Sequence, residues 1–316
     1  PSGWTGSPQM YTNIAMSSIQ IVEVGPRDGL QNEPDIVSTA DKLEMIGRMI
    51  DAGARRLEVA SFVHPQRVPQ MADAEAVIAG LPDRKDVSYI GLTLNKRGVL
   101  RALATKEGGR RGVDEIGCVI VATDTFGQKN QGQTVAEGIA EASEMIRFAK
   151  ENGLIAQVTI SAAFGCPFEG DVPAQRIVDI ARAVLEAGPS EIALADTIGV
   201  GVPAQVTDLY GRLREFVPAD IPLRAHFHNT RGTGIANAWA AIQAGVSVLD
   251  ASLGGLGGCP FAPRATGNIA TEELIYLAER SGLDHGMNLD AAIAANRWMA
   301  GILGRELPSL VARAAA

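Results

Sequence analysis

Two of the chain's four histidines share the stretch HFHNT, as His226 and His228. Residues i and i+2 of a strand face the same way, so the pair reads either as a metal-binding edge or as two polar side chains on one face. Other residues able to do chemistry are Arg27 and Asp28 in VEVGPRDGLQNEP, Glu58 in RRLEVASF, Asp196 in LADTIGVG, and Cys259 and Asn268 in GGLGGCPFAPRATGN. These groups are scattered over most of the chain. Only a fold that gathers distant segments can make them one site.

Short apolar, β-branched runs recur along the chain, each followed by a polar or Gly-containing loop and then a stretch with helical spacing. Eight strands are predicted, over 19–24, 55–62, 87–93, 115–122, 155–162, 191–196, 223–228 and 247–253. Helices are predicted over 39–52, 134–152, 173–187, 203–216 and 231–245, with start signals at Ser38, Thr39, Thr134, Pro173 and Pro203. Such alternation implies parallel pairing through right-handed crossovers, and eight units close into an α/β TIM barrel, (β/α)8. The competing architecture is a doubly wound open sheet. Against it, the first strand runs into GPRDGLQNEP, too charged for the GxGxxG turn of a dinucleotide fold. The expected organisation is a poorly structured leader over 1–18, a barrel over 19–284, and a C-terminal extension over 285–316 forming an additional helix outside or over the barrel.

Chemistry in such barrels sits where the strands end. Arg27 and Asp28 end the first strand, Glu58 lies in the second, Asp196 ends the sixth, His226 and His228 end the seventh, and Asn268 opens the helix after the eighth. Two imidazoles, a carboxylate and an amide oxygen form a hard, mixed ligand set without thiolate, which suits Mg or Mn, with Zn as the alternative. Arg27 has two readings. It pairs with Glu33 or Asp35 at the surface, or it aims a cation at negative charge developing on a substrate oxygen. The glycines from Gly254 to Gly258 form either a loose turn or a loop carrying Cys259 over the mouth, where a thiol can transfer a proton.

Bulk properties narrow the class. A net charge of −8 without a basic run argues against nucleic acid and anionic membrane surfaces. No apolar run approaches the roughly 20 residues of a membrane span, and the first residues lack a signal-peptide layout. Cys118, Cys166 and Cys259 cannot all pair and are too dispersed for a metal cluster, so a reducing cytoplasm is the expected compartment.

The motifs VEVGPRDGLQNEP, SFVHPQRVPQM, GCPFEG, LADTIGVG, HFHNTRG and GGLGGCPFAPRATGNIATEEL together resemble 3-hydroxy-3-methylglutaryl-CoA lyase, of the metal-dependent barrel superfamily that includes isopropylmalate synthase. The resemblance runs over about residues 19–285. It implies metal ligation by Asp28, His226, His228 and Asn268, and functional roles for Arg27, Glu58, Asp196 and Cys259. It further implies an acyl-CoA substrate cleaved to acetyl-CoA and a keto acid, acetoacetate in the parent reaction, by a homodimer or higher homo-oligomer. Pro34 stands where the lyases often have Lys, Asn229 and Arg231 replace an acid and an aromatic, and Arg264 occupies a usual Gly. These departures bear on the acyl group and add positive charge near the mouth. The rival readings are an acetyl-CoA-condensing synthase, which usually carries an ERAGN-like motif, and a catalytically silent acyl-CoA-binding barrel.

Overall fold

A computed structural model describes residues 16–258 and 267–315. Its eight strands all pair in parallel and close, in chain order, into one barrel. They are β1 (Gln20–Glu23), β2 (Arg56–Ser61), β3 (Ser88–Thr93), β4 (Glu115–Val121), β5 (Ile155–Ser161), β6 (Ile192–Asp196), β7 (Leu223–Phe227) and β8 (Val248–Ala251). The ring closes by β1 on β8, with Gln20 opposite Val248 and Glu23 opposite Ala251. Each predicted strand is present, so the barrel displaces the open sheet.

Eleven helices surround the described barrel: α1 (Thr39–Asp51), α2 (Ala74–Ala79), α3 (Lys96–Ala104), α4 (Asp124–Asn130), α5 (Val135–Glu151), α6 (Ala174–Leu185), α7 (Pro203–Arg214), α8 (Gly234–Gln243), α9 (Thr271–Arg280), α10 (Leu289–Leu303) and α11 (Leu310–Ala314). Local chemistry sets their starts. Ser38 accepts the amide of Asp41 at the head of α1, and Thr134 with Glu137 closes a reciprocal capping box on α5. The chain beyond the barrel forms two helices where one was expected. Gly304, at φ 64°, ends α10 in the left-handed conformation, and Ser309 caps a new start just after Pro308.

Strand alternation divides the core into two parts. Outward residues such as Leu57, Ile116, Val158, Leu194, Leu223 and Leu249 join the apolar layer under the helices. The inward set differs. Glu58, Gly117, Thr159, Ser161, Ala195 and His226 line a cavity of about 640 Å³ that opens at the carboxyl ends of the strands. Barrels of this type usually fill their interior with layers of branched apolar side chains. Here small and polar residues leave room at one end, and that end is where the candidate groups gather.

Candidate active site

The first strand does not run straight into a helix. It turns through a single wide coil, Gly25–Gly29, in which the amides of Arg27, Asp28 and Gly29 all donate to the carbonyl of Val24. Gly25 is required there, because a Cβ would lie 2.5 Å from Glu23 Oε1. The coil turns Arg27 and Asp28 into the cavity. Arg27 donates from Nε and Nη2 to the two oxygens of Glu58, both at 2.9 Å, and from Nη1 to Asp28 Oδ1 at 2.5 Å. The partners proposed from sequence lie elsewhere; Glu33 instead meets Arg305.

Across the mouth, β7 supplies His226 and His228. Each Nε2 lies 3.8 Å from Asp28 Oδ2, and one donor atom from each of the three residues falls within 4.8 Å of the others. Asn268 joins them through its Nδ2, which donates to the same Asp28 oxygen at 2.9 Å and to Leu256 O at 3.0 Å. Burial alone would raise the Asp28 pKa, but the Arg27 charge and the two imidazoles outweigh it and hold the carboxyl well below the usual range. Both ring nitrogens of His228 and Oδ1 of Asn268 are buried without a hydrogen-bond partner among the described residues. Buried polar atoms are normally satisfied, so the orphaned His228 ring beside Asp28 marks a place able to take a further group. Imidazole, carboxylate and amide oxygen are the donor types that hold a divalent cation.

His226 differs from His228 in one respect. Its Nδ1 lies 2.9 Å from Asp250 Oδ2, a buried partner on β8. That bond fixes Nδ1 as the protonated nitrogen and turns Nε2 toward Asp28. Asp250 was missed in sequence, although an acid alternating with Val248 on an inward strand face carries a signal: a buried strand carboxylate needs a partner.

Asp196 sits at the end of β6, but its two oxygens accept the amides of Val200 and Gly201, each at 2.9 Å. Its carboxylate is folded onto its own loop, and its neighbours Ala195 and Thr197 line the cavity in its place. Arg231 is exposed and donates to the carbonyls of Ile198 and Gly199, both at 3.0 Å. Its charge is spent joining two loops. Asn229 accepts the amide of Gly234 at 3.0 Å, and Pro34 is exposed. Cys259 and Arg264 lie outside the described residues. The flanks of their segment converge on the mouth: Asn32 donates to Gly258 O at 2.7 Å, and Asn229 N donates to Gly267 O at 2.8 Å.

The sequence matches the profile of the HMGL-like family over residues 18–298. The chain belongs to that family. It is 43% identical over 309 residues to an (R)-citramalyl-CoA lyase of Chloroflexus aurantiacus, covering 95% of each chain. A hydroxymethylglutaryl-CoA lyase of Bacillus subtilis is 39% identical over 291 residues, 92% of this chain and 95% of that one. Among solved structures, an HMG-CoA lyase from Acinetobacter baumannii in complex with coenzyme A and 3-methylmalate aligns with a TM-score of 0.87 at 37% identity, covering 94% of this chain and 95% of the other. This HMGL-like chain thus shares fold and family with acyl-CoA lyases. No helix among its described residues is long and apolar enough to cross a membrane.

Proposed function

We propose that this HMGL-like protein is a metal-dependent acyl-CoA lyase that cleaves a 3-hydroxy-3-methyl dicarboxylic acyl-CoA into acetyl-CoA and a keto acid. The observation that carries this reading is the convergence of Asp28, His226 and His228 beside the Arg27–Glu58 pair at the open end of the barrel. Asp28, His226, His228 and Asn268 would hold the ion, with Mg or Mn suited to the oxygen-rich set and Zn as the alternative. A bound divalent cation supplies Lewis-acid polarisation of substrate oxygens.

The chain's own residues account for the remaining needs of a carbon–carbon cleavage. The Arg27 guanidinium has five N–H donors, and Glu58 and Asp28 engage three of its nitrogens once each. Two N–H bonds remain for the thioester oxygen, where negative charge develops as the bond breaks. Glu58 holds that guanidinium by a bidentate pair, which fixes its plane. Asp28 is the nearest anionic acceptor for the hydroxyl proton of the substrate. The neighbours that keep it ionised also make it a weak base, so the proton must first be acidified by the polarisation a bound cation would supply. Cys259 is assigned as the acid that protonates the enolate carbon; support comes from its motif and from the anchored flanks of its segment at the mouth.

Two acyl groups compete, and they differ by one methylene. Relatives named for hydroxymethylglutaryl-CoA support the longer, and the citramalyl-CoA lyase supports the shorter, for which pyruvate is the keto product. The test is a panel of 3-hydroxyacyl-CoA esters with Mg or Mn, scored for release of acetyl-CoA. Cleavage of either ester with loss of activity on chelation is the expected result. An inert panel at every metal tested would sink the lyase reading in favour of a silent barrel.

A further inference from the structure

Beside the apolar cluster of Val22, Val24, Ile90 and Val248 the barrel interior carries buried charge, and two of the residues concerned, Arg224 and Asp250, reach the cavity wall. Arg56 on β2, Glu115 on β4, Gln157 on β5, Arg224 on β7 and Asp250 on β8, with Glu191 just before β6, are all at least nine-tenths buried. They form one connected chain. Arg56 pairs with Glu115 at 2.6 Å and with Glu191 at 2.7 Å. Glu191 pairs with Arg224 at 3.1 Å, and Arg224 Nε lies 3.1 Å from Asp250 Oδ1. Gln157 accepts a further bond from Arg224 Nη1. At its upper end the chain reaches His226, through the other Asp250 oxygen.

A buried ion network gains little stability over an apolar core of the same volume. A packed apolar floor would serve the barrel as well, so the ionic one calls for another account. The arrangement supplies it. Arg224 and His226 are two residues apart on one strand and face inward together. Asp250 lies between them, hydrogen-bonded to His226 through Oδ2 and paired by charge alone with Arg224 through Oδ1, a contact without hydrogen-bond geometry. Among the described residues Arg224 is the only arginine or lysine within ion-pair distance of Asp250, whose other partner is His226 itself. The charge of the guanidinium holds that carboxylate in place, and its Nη1 is in turn engaged by Glu191, just before β6, and by Gln157 on β5. We propose that Arg224 is a positioning residue for the active site: through Asp250 it fixes the tautomer and orientation of His226, and the buried Arg56–Glu191–Arg224 chain anchors that pair across the barrel floor.

This rests on the metal-ligand reading of His226 for its functional consequence, and the test separates the two. The full chain labelled with ¹⁵N-histidine contains only four imidazoles, and His226→Gln assigns the one of interest. In metal-free wild type, His226 is expected to carry its proton on Nδ1. In Arg224→Lys, whose ammonium cannot serve Asp250, Glu191 and Gln157 at once, that tautomer is expected to mix, while the His228 signals stay unmoved. Titration with Mn²⁺ is expected to show affinity lowered by about 10-fold in Arg224→Lys and toward 100-fold in Arg224→Met, the range found when a ligand's supporting partner is lost. Should Arg224→Met fail to fold, the charge-balanced double variant Arg224→Met with Glu191→Gln carries the same readouts. An unchanged His226 tautomer together with wild-type Mn²⁺ affinity in the folded variants overturns the proposal. If wild type itself binds no Mn²⁺, the metal reading fails, and the tautomer comparison, made without metal, still decides the positioning role.

Discussion

Arg27 shows how one side chain serves two tasks. Its bidentate pair with Glu58 at 2.9 Å is buried enough to be rigid, and its contact with Asp28 keeps that carboxylate ionised. Arg27→Met is expected to lower turnover by about 10²- to 10³-fold, the cost of losing one preorganised donor to a developing oxyanion. Mn²⁺ binding should persist, because Asp28 and both imidazoles remain. Steady-state kinetics with a parallel metal titration checks this; a matching fall in metal affinity would place the effect on Asp28 rather than on the substrate. At this scale the sequence was partly legible. Residue type and motif marked Arg27 and Asp28, but the arginine's partner is Glu58, 31 residues away, and no local pattern names it. Asp250 and Arg224 escaped notice for the same reason: their meaning lies in the contact between β7 and β8, which the register of the closed barrel sets.

The elements that carry the site are turns more than helices. The wide coil Gly25–Gly29 and the short helical turn Leu253–Gly255 adjoin, and Gly257 brings the chain back against Asn268. Gly257 adopts φ 120°, and a Cβ there would lie 2.7 Å from Asn268 Nδ2. Gly257→Ala therefore combines backbone strain of about 1–3 kcal/mol with displacement of a proposed metal ligand. It is expected to lower thermal stability modestly and to weaken Mn²⁺ binding, measured by calorimetry, while leaving the Arg27–Glu58 pair in place. Wild-type melting and metal affinity would show that Asn268 does not depend on this approach. The helix starts, by contrast, were readable from Ser38 and Thr134, because a cap is decided by residues three apart. The break between α10 and α11 was not resolved from the same stretch, though Gly304 and Pro308 carry its chemistry.

In the whole molecule, the last helices are tied to the barrel through buried acid. Glu272 at the start of α9 accepts the amide of Gly254 at 3.0 Å and the side-chain amide of Asn296 on α10 at 2.8 Å. Burial pushes its pKa from 4.5 up to about 8, against the lowering effect of these donors. A raised carboxyl pKa means that the folded state holds the proton more tightly than the unfolded one. Its contribution to stability is therefore full below about pH 4.5 and is lost as pH rises toward about 8. Glu272→Gln, whose oxygen can still accept both donors, is expected to flatten that decline and to be more stable by up to about 4 kcal/mol at pH 8. Denaturant unfolding across pH checks it; a variant with the wild-type slope would remove Glu272 from the pH response. The strand and helix alternation, the eightfold count and the strand ends that bear chemistry were legible in the order of residues alone, because periodicity and local caps are short-range properties. Closure of the barrel decided which distant residues touch. It set Glu58 on Arg27, Asp250 between Arg224 and His226, and Asp196 on its own loop, because these pairings depend on register and inward direction around a ring that no single segment encodes.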